Sequence, residues 1–376
     1  MKELYLDANA HVAMNPLALK AYCEFNDSKA GHGHAMSPNA PGRAAAVVIE
    51  ESRERIANLL GAKPDQIIFT STCTQACEWA VYLLSKMVEN VSYSQAEHPA
   101  IRQAVCEYFK KSKDLNINKN GIIELGVESE IRVAVDRYLR NGLYKGGSTD
   151  AIVAMYVQNE IGIIQPIEKV DGILLSDFSQ APGKVEFKLS DMNVDLAPFA
   201  AHKFGGPPSV GFLYIKDDGV WDEFGTGSRY FLDRAGTPDV GGILATAVAL
   251  EETYKNYDAI NEHMLDFRSA LEDGFEELGI EVVGQEGERV NNTTFIKCGK
   301  GQGMKIMLEL CEDGIYTGLG SACGSAYSGS NPFLKKMGID GGPHDFMRIS
   351  TFGEYTSKDA SYFLSKFKKY FSKGGD

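Results

Sequence analysis

A lysine sits in the segment Ala200-Ala-His-Lys-Phe-Gly-Gly-Pro207, between a strand-like run and a Gly-Gly-Pro turn. An amine held in this way can link covalently to an aldehyde cofactor and later move protons at a substrate carbon. Alone, His202-Lys203 reads more readily as a surface pair before a turn. Asp177, in Ser176-Asp-Phe-Ser-Gln180, follows a buried-type strand. Open α/β sheets bind ligands at such strand ends. A carboxylate there suits the pyridine nitrogen of pyridoxal 5'-phosphate (PLP), which must stay protonated for the ring to accept electrons. Gln180 is placed to hydrogen-bond the ring oxygen. The plainer alternative for Asp177 is a helix cap.

Five further segments carry polar side chains, three of them just after strands, one in a Gly-rich loop and one on a short strand. Thr70-Ser-Thr-Cys-Thr-Gln75 is a polar strand-to-helix turn, which offers free N–H groups and a helix dipole to a phosphate. Thr74 is its side-chain candidate, with Cys73 beside it. Glu97-His98 places an imidazole where it can stack on a pyridine face. Gln158-Asn-Glu-Ile-Gly162 offers Asn159 to a ring oxygen or a substrate carboxylate. Gly318-Leu-Gly-Ser-Ala-Cys-Gly-Ser-Ala-Tyr327 surrounds Cys323 with small residues, which suits a thiol nucleophile that must travel. Met347-Arg-Ile-Ser350 puts Arg348 on a short strand, where its planar fork can hold a carboxylate. Each also has a structural reading: cap, core histidine, buried thiol or salt bridge.

The elements that must position these groups alternate strand and helix. Ala44–Leu60 has helical periodicity and stops at Gly61. Residues 66–70, 91–95, 151–157, 172–176, 195–199 and 210–215 read as strands. Helices are expected through about Met87, over Pro99–Lys111, over Gly241–Tyr257 and over Asn261–Leu278. The remainder adds strands at 281–283 and 292–297. Gly31–Gly42 reads as a loop. This alternation predicts a layered α/β domain with a mainly parallel sheet, followed by a smaller α+β domain.

Composition narrows the function classes. The chain has 376 residues, 44 % hydrophobic and 24 % charged, with a net charge of -13. That charge repels phosphate backbones, so no direct nucleic-acid partner is expected. No apolar run is long enough to span a bilayer, and the start has no signal-peptide shape, so a cytoplasmic location is expected. The seven cysteines form no paired framework. Cys73-x3-Cys77 has no second pair, and no metal site is expected.

In order, the segments resemble the cysteine desulfurases of the NifS and IscS type, in the class V aminotransferase group of PLP fold type I. The resemblance runs from Leu4-Tyr-Leu-Asp7 to the C-terminal helix, and its specificity lies in the ordered set. It implies a large PLP-binding domain over 14–257, and a small domain of 1–13 and 258–376 carrying the catalytic-cysteine loop. It also implies the site roles. Lys203 forms the Schiff base, Asp177 pairs with the pyridine nitrogen, Gln180 bonds the ring hydroxyl and His98 stacks on the ring. Thr74 and His202 hold the phosphate, while Asn159 and Arg348 bind the substrate carboxylate. Arg234-Ala-Gly-Thr237 resembles the segment whose threonine reaches the neighbouring subunit's phosphate, which implies a homodimer.

Cys323 is then the sulfur acceptor. L-cysteine would be converted to L-alanine, leaving a persulfide for a sulfur-acceptor protein. A selenocysteine lyase or other PLP β-elimination enzyme, and a non-catalytic scaffold, are the alternatives. The chain departs from the pattern at Ala200, where the family has a serine, and at Thr72-Cys73, where it has Gly-Ala. It departs again at Ala10-His-Val-Ala13, which sets His11 near the substrate mouth, and at 165–177, which leaves hardly room for the usual helix. After Cys323, Gly324–Gly338 resembles the longer loop of the NifS/IscS branch.

Overall fold

The computed structural model describes residues 2–125, 150–216, 237–320 and 331–372. Seven strands form its main sheet: β2 (Ile67–Thr70), β3 (Asn90–Ser94), β4 (Ser112–Leu115), β5 (Asp150–Val153), β6 (Leu174–Leu175), β7 (Leu196–Ala200) and β8 (Gly211–Ile215). Their order is β2-β8-β7-β6-β5-β3-β4. β8 runs antiparallel to both of its neighbours, and every other pairing is parallel. β2 therefore points the same way as β3 to β7. The turns that follow these strands gather along one edge, which is where ligands bind in such sheets.

Period-2 alternation sends side chains to opposite faces of the sheet. Ile68, Val91, Val153 and Leu213 meet α3 (Cys73–Met87) and α4 (Pro99–Tyr108). Phe69, Leu174, Phe199 and Phe212 join the larger core under α1 (Pro16–Asp27), α2 (Ala40–Leu60) and α5 (Val240–Lys255). Phe199 and Phe212 stack with centroids 4.6 Å apart.

A third core joins β1 (Leu4–Leu6), β9 (Thr293–Lys297), β10 (Ile315–Thr317) and β11 (Phe346–Ser350) to α6 (Tyr257–Glu277), α7 (Gln302–Glu312) and α9 (Ser357–Phe371). β1 pairs parallel with β10, and β9 antiparallel with β11. Phe275, Phe363 and Phe367 are fully buried there. Truncating one of them to alanine would cost about 3–5 kcal/mol.

Several boundaries differ from the sequence reading. The expected loop ends at Asn39, whose side chain caps α2 by accepting from Gly42 N at 2.9 Å. Pro41 and Gly42, read as loop residues, lie in the first turn, where a missing N–H costs nothing. α4 stops at Tyr108 instead of Lys111, and the unforeseen edge strand β4 follows. Three of β4's four residues are exposed, so no apolar alternation marked it. The strand expected over 151–157 ends at Val153, although Ala154 N and Tyr156 N still donate to Leu175 O and Asp177 O. Residues 281–283 contribute only a bridge from Val282 to Ile296. α6 begins four residues before Asn261. Residues 165–177 hold one 3-10 turn, Ile167–Lys169, in place of a full helix. Within 324–338, expected as loop, Pro332–Lys336 forms the short helix α8.

Candidate active site

The strand ends converge on a cavity of about 230 Å³. Nine expected site residues line it: Cys73 and Thr74 after β2, His98 after β3, Asn159 after β5, Asp177 and Gln180 after β6, His202 and Lys203 after β7, and Arg348 from β11. Two expected positions lie elsewhere. Thr237 is exposed just ahead of α5 and does not line the cavity of its own chain. Cys323, like Arg234, lies outside the described residues.

Lys203 is held by the N-terminal segment. Its Nζ donates to Asn9 O and, at 2.7 Å, to Ala10 O. Burial, aided by the Arg348 charge, pulls its pKa down to about 8. About a tenth of the amine is then neutral at pH 7, far more than for an ordinary lysine, which favours a nucleophilic role. Asp177 is buried, and its Oδ1 accepts from Ser179 N at 2.8 Å. It is thus a loop carboxylate locked by its own turn, not a helix cap.

Both histidines at the cavity are kept neutral. Burial lowers the His98 pKa, and burial plus the Lys203 charge takes His202 to about 3. His98 Nδ1 accepts from Ala100 N at 3.2 Å, capping α4. That bond leaves the ring proton on Nε2. His202 stacks on His11, with centroids 5.5 Å apart and Nδ1 atoms 3.3 Å apart. Of two neutral rings so placed, one donates and the other accepts.

The turn after β2 leaves backbone N–H groups open at the start of α3. Thr72 caps α3 by accepting from Gln75 N at 3.2 Å. The helix N–H groups of Cys73 and Thr74 have no intrahelical acceptor. Gly211 keeps β8 tight beneath them, since a Cβ there would lie 2.6 Å from Cys73 N. Cys73 Sγ is 3.0 Å from Ser179 Oγ and 3.8 Å from Cys77 Sγ. Cys77 is buried, and its thiol pKa is pushed well up, first by the bond to Cys73 and then by burial.

Arg348 is fully buried on β11. Its Nη1 donates to Asn159 O at 2.9 Å and its Nη2 to Asp7 Oδ1 at 2.6 Å. Gln180 Nε2 donates to Asn9 O at 3.0 Å, and its Oε1 accepts from Lys184.

Asn9, Lys184, Asp7 and Glu97 were not assigned roles from the sequence. Asn9 binds both lysines and bridges to Asn159, Asn292 and Thr293. Glu97 Oε1 accepts from Met155 N at 2.7 Å, while Oε2 is buried with no hydrogen-bond partner. Burial raises its pKa to about 8. The signal for Lys184 was a lysine four residues after Gln180 in the apolar run Ala181-Pro-Gly-Lys-Val185.

A lysine with a lowered pKa, a carboxylate at a strand end, neutral imidazoles and a helix N-terminus are brought together at one cavity, a set of groups that an anionic aldehyde cofactor could use. These residues fit PLP: one cavity holds a carboxylate that could partner a ring nitrogen and a helix N-terminus that could hold a phosphate.

Residues 4–363 match the model of the aminotransferase class-V family, and the chain belongs to that family. The cysteine desulfurase IscS of Dictyoglomus turgidum is 31 % identical over 391 residues, covering 99 % of this chain and 95 % of the relative. A cysteine desulfurase of Sinorhizobium fredii is 32 % identical over 359 residues, covering 92 % and 89 %. A solved NifS-like protein superposes with a TM-score of 0.80 at 25 % identity, covering 99 % of this chain and all of that one. Within the family, therefore, the chain is of the NifS/IscS cysteine desulfurase type, a group of PLP enzymes. Among the described residues, no helix is long and apolar enough to cross a membrane, and no cluster of metal-ligating side chains occurs.

Proposed function

We propose that this chain binds PLP through Lys203 and removes sulfur from L-cysteine, yielding L-alanine and a persulfide on Cys323. The observation that carries this reading is the convergence of nine side chains, from separate strand ends, on the cavity that holds the Lys203 amine. PLP, when bound, supplies an electron sink for the substrate carbon that loses its proton.

The chain's own residues supply the rest. Asp177 holds the proton on the pyridine nitrogen, and Gln180 donates to the ring oxygen. Thr74, with the N–H groups of the α3 turn, holds the phosphate. Neutral His202 adds a hydrogen bond, and His98 stacks on the ring. Arg348 and Asn159 orient the substrate carboxylate. Lys203, with its lowered pKa, takes the Cα proton and returns it. The Cys323 thiolate attacks the substrate sulfur. A sulfur–sulfur bond forms, the Cβ–S bond breaks, and protonation of the carbon skeleton gives alanine.

The division into 14–257 and 1–13 with 258–376 belongs to the same proposal. So do a homodimer in which Thr237 reaches the partner's phosphate site, a cytoplasmic location and a sulfur-acceptor protein. The exposed position of Thr237 supports a contact made outside its own chain.

The test is alanine release from L-cysteine by the PLP-loaded protein. Wild-type protein should release alanine, and Lys203→Ala should release none. Equal release by both, or none by the wild type, would overturn the reading.

A further inference from the structure

Lys184 is a buried amine that none of the assigned roles uses, and burial, with the Lys203 and Arg348 charges nearby, pulls its pKa well below the usual lysine range. It is 4 % exposed, deeper than Lys203. Among the described residues it makes no ion pair. Its Nζ donates to two side-chain amide oxygens, Gln180 Oε1 and, at 3.0 Å, Asn9 Oδ1. A buried amine without a counter-ion is costly, and an apolar side chain of the same length would pack there more cheaply. A compensating role therefore has to lie in what the amine does to its two acceptors.

A carboxamide is nearly symmetric in shape, and only its hydrogen bonds decide which end points where. Even as a neutral amine, Nζ has two N–H donors, and each is spent on one amide oxygen. It therefore forces the oxygen of each amide towards itself and the NH2 of each amide away. The NH2 of Gln180 then has one hydrogen on Asn9 O, at 3.0 Å, and a second left over, on a side chain that lines the cavity. The NH2 of Asn9 goes to Thr293 Oγ1 at 2.8 Å and Asn159 O at 3.2 Å. Asn9 O, thus fixed, also accepts from Lys203. The two lysines are coupled through one residue: Lys184 on its side chain, Lys203 on its carbonyl.

We infer that Lys184 is a positioning residue that commits Gln180 to presenting a donor, rather than an acceptor, to the cavity, and so selects a ligand with an anionic oxygen at that point. This rests on the reading that PLP occupies the cavity, where the ring oxygen is that acceptor.

The test uses full-length protein stripped of cofactor, with PLP as the probe, in wild type, Lys184→Met, Gln180→Leu and the double variant. Three quantities are read: the PLP dissociation constant, the wavelength of the visible band of the bound cofactor, and the melting temperature of the cofactor-free protein. Lys184→Met should weaken PLP binding roughly five- to ten-fold, the equivalent of one hydrogen bond. It should shift the band in the same direction as Gln180→Leu, and it should leave the melting temperature unchanged or raised. The double variant should bind no more weakly than Gln180→Leu alone, because the lysine acts through that amide. Additive losses in the double variant, or a lowered melting temperature with an unshifted band, would overturn the inference in favour of a purely structural lysine. So would unchanged binding and band in Lys184→Met. Failure of the wild type to bind PLP at all would instead sink the cofactor reading on which the inference stands.

Discussion

Arg348 Nη2 lies 2.6 Å from Asp7 Oδ1, so the guanidinium expected to hold a substrate carboxylate already has a carboxylate of its own. Arg348 is 1 % exposed in its side chain and Asp7 is 21 % exposed. Removing the charge of Asp7 leaves a buried cation without its counter-ion. Asp7→Asn should therefore destabilise the protein by about 3 kcal/mol. Added formate, a free carboxylate, should restore part of that loss in Asp7→Asn but not in wild type. Thermal melts of both proteins with and without formate check this. A melting temperature that formate leaves unmoved would show that the pair contributes little.

Lys203 makes the cofactor-free protein sensitive to pH. Its pKa falls from 10.5 to about 8 on folding, mainly through burial. Between those values the unfolded chain binds the extra proton, so stability rises with pH across the window. Below about pH 8 both states are protonated and the burial penalty is felt in full. Lys203→Met should therefore raise the melting temperature of the cofactor-free protein at pH 7, by an amount that shrinks as pH rises past 8. A difference that stays constant from pH 7 to 10 would contradict this. The rate of PLP uptake by the wild type should rise through the same pKa, because the neutral amine is the nucleophile.

Glu97 has the opposite sign. Its folded pKa of about 8 lies above the ordinary 4.5, again through burial. Between those values the folded state binds the extra proton, so stability falls as pH rises across that window. The limiting slope is about 1.4 kcal/mol per pH unit. Glu97→Gln keeps an acceptor for Met155 N and cannot ionise. It should match wild type near pH 4 and become progressively more stable than wild type up to pH 8. Denaturant titrations at several pH values measure the gap, and a gap that fails to widen would refute the assignment of a protonated Glu97.

Cys323 is the sulfur carrier in the proposed reaction, and Cys77 is the cavity thiol whose protonation counts against it as an alternative. Cys73 lies on the cavity wall beside Cys77, whose pKa is pushed well up. A thiol held as the protonated form is a poor nucleophile. After a brief exposure to L-cysteine, mass spectrometry should place the added sulfur on the peptide containing Cys323. Cys323→Ser should keep PLP binding and lose the persulfide. Sulfur found on Cys73 or Cys77 would move the carrier to the α3 turn.

The parts of the site legible in the sequence are those at the ends of apolar runs. Asp177 and Lys203 follow buried apolar runs, Ile173-Leu-Leu175 and Leu196-Ala-Pro-Phe-Ala200, and lie within three residues of their ends, whereas His98 follows the half-polar strand Asn90–Ser94 and was marked by its residue type alone. Lys184 and Asn9 were illegible because their roles arise from contacts between residues 175 apart in the chain. Asp7 was illegible for the same reason, with its partner 341 residues away. In the fold, β4 lacked an apolar signature because it is an exposed edge. The start of α2 was masked by Pro41 and Gly42, which read as turn residues until Asn39 is seen to cap them. The break between α5 and α6 at Asn256 likewise shows only in the backbone.

The distance along the chain from Asp7 to Arg348 also bears on how the protein is made. β1 finds its partner only in β10, and Asp7 bridges to Ser350. A ribosome must add 341 residues after Asp7 before Arg348 exists. Until then the N-terminal segment can meet Gln180, Lys184 and Lys203, but Asp7 lacks the guanidinium it pairs with. The wall of the cavity that β11 supplies is therefore the last to be made, and a chain cut short of that strand would keep the contacts of both lysines to residues 9 and 10 while leaving the Arg348 side of the cavity open.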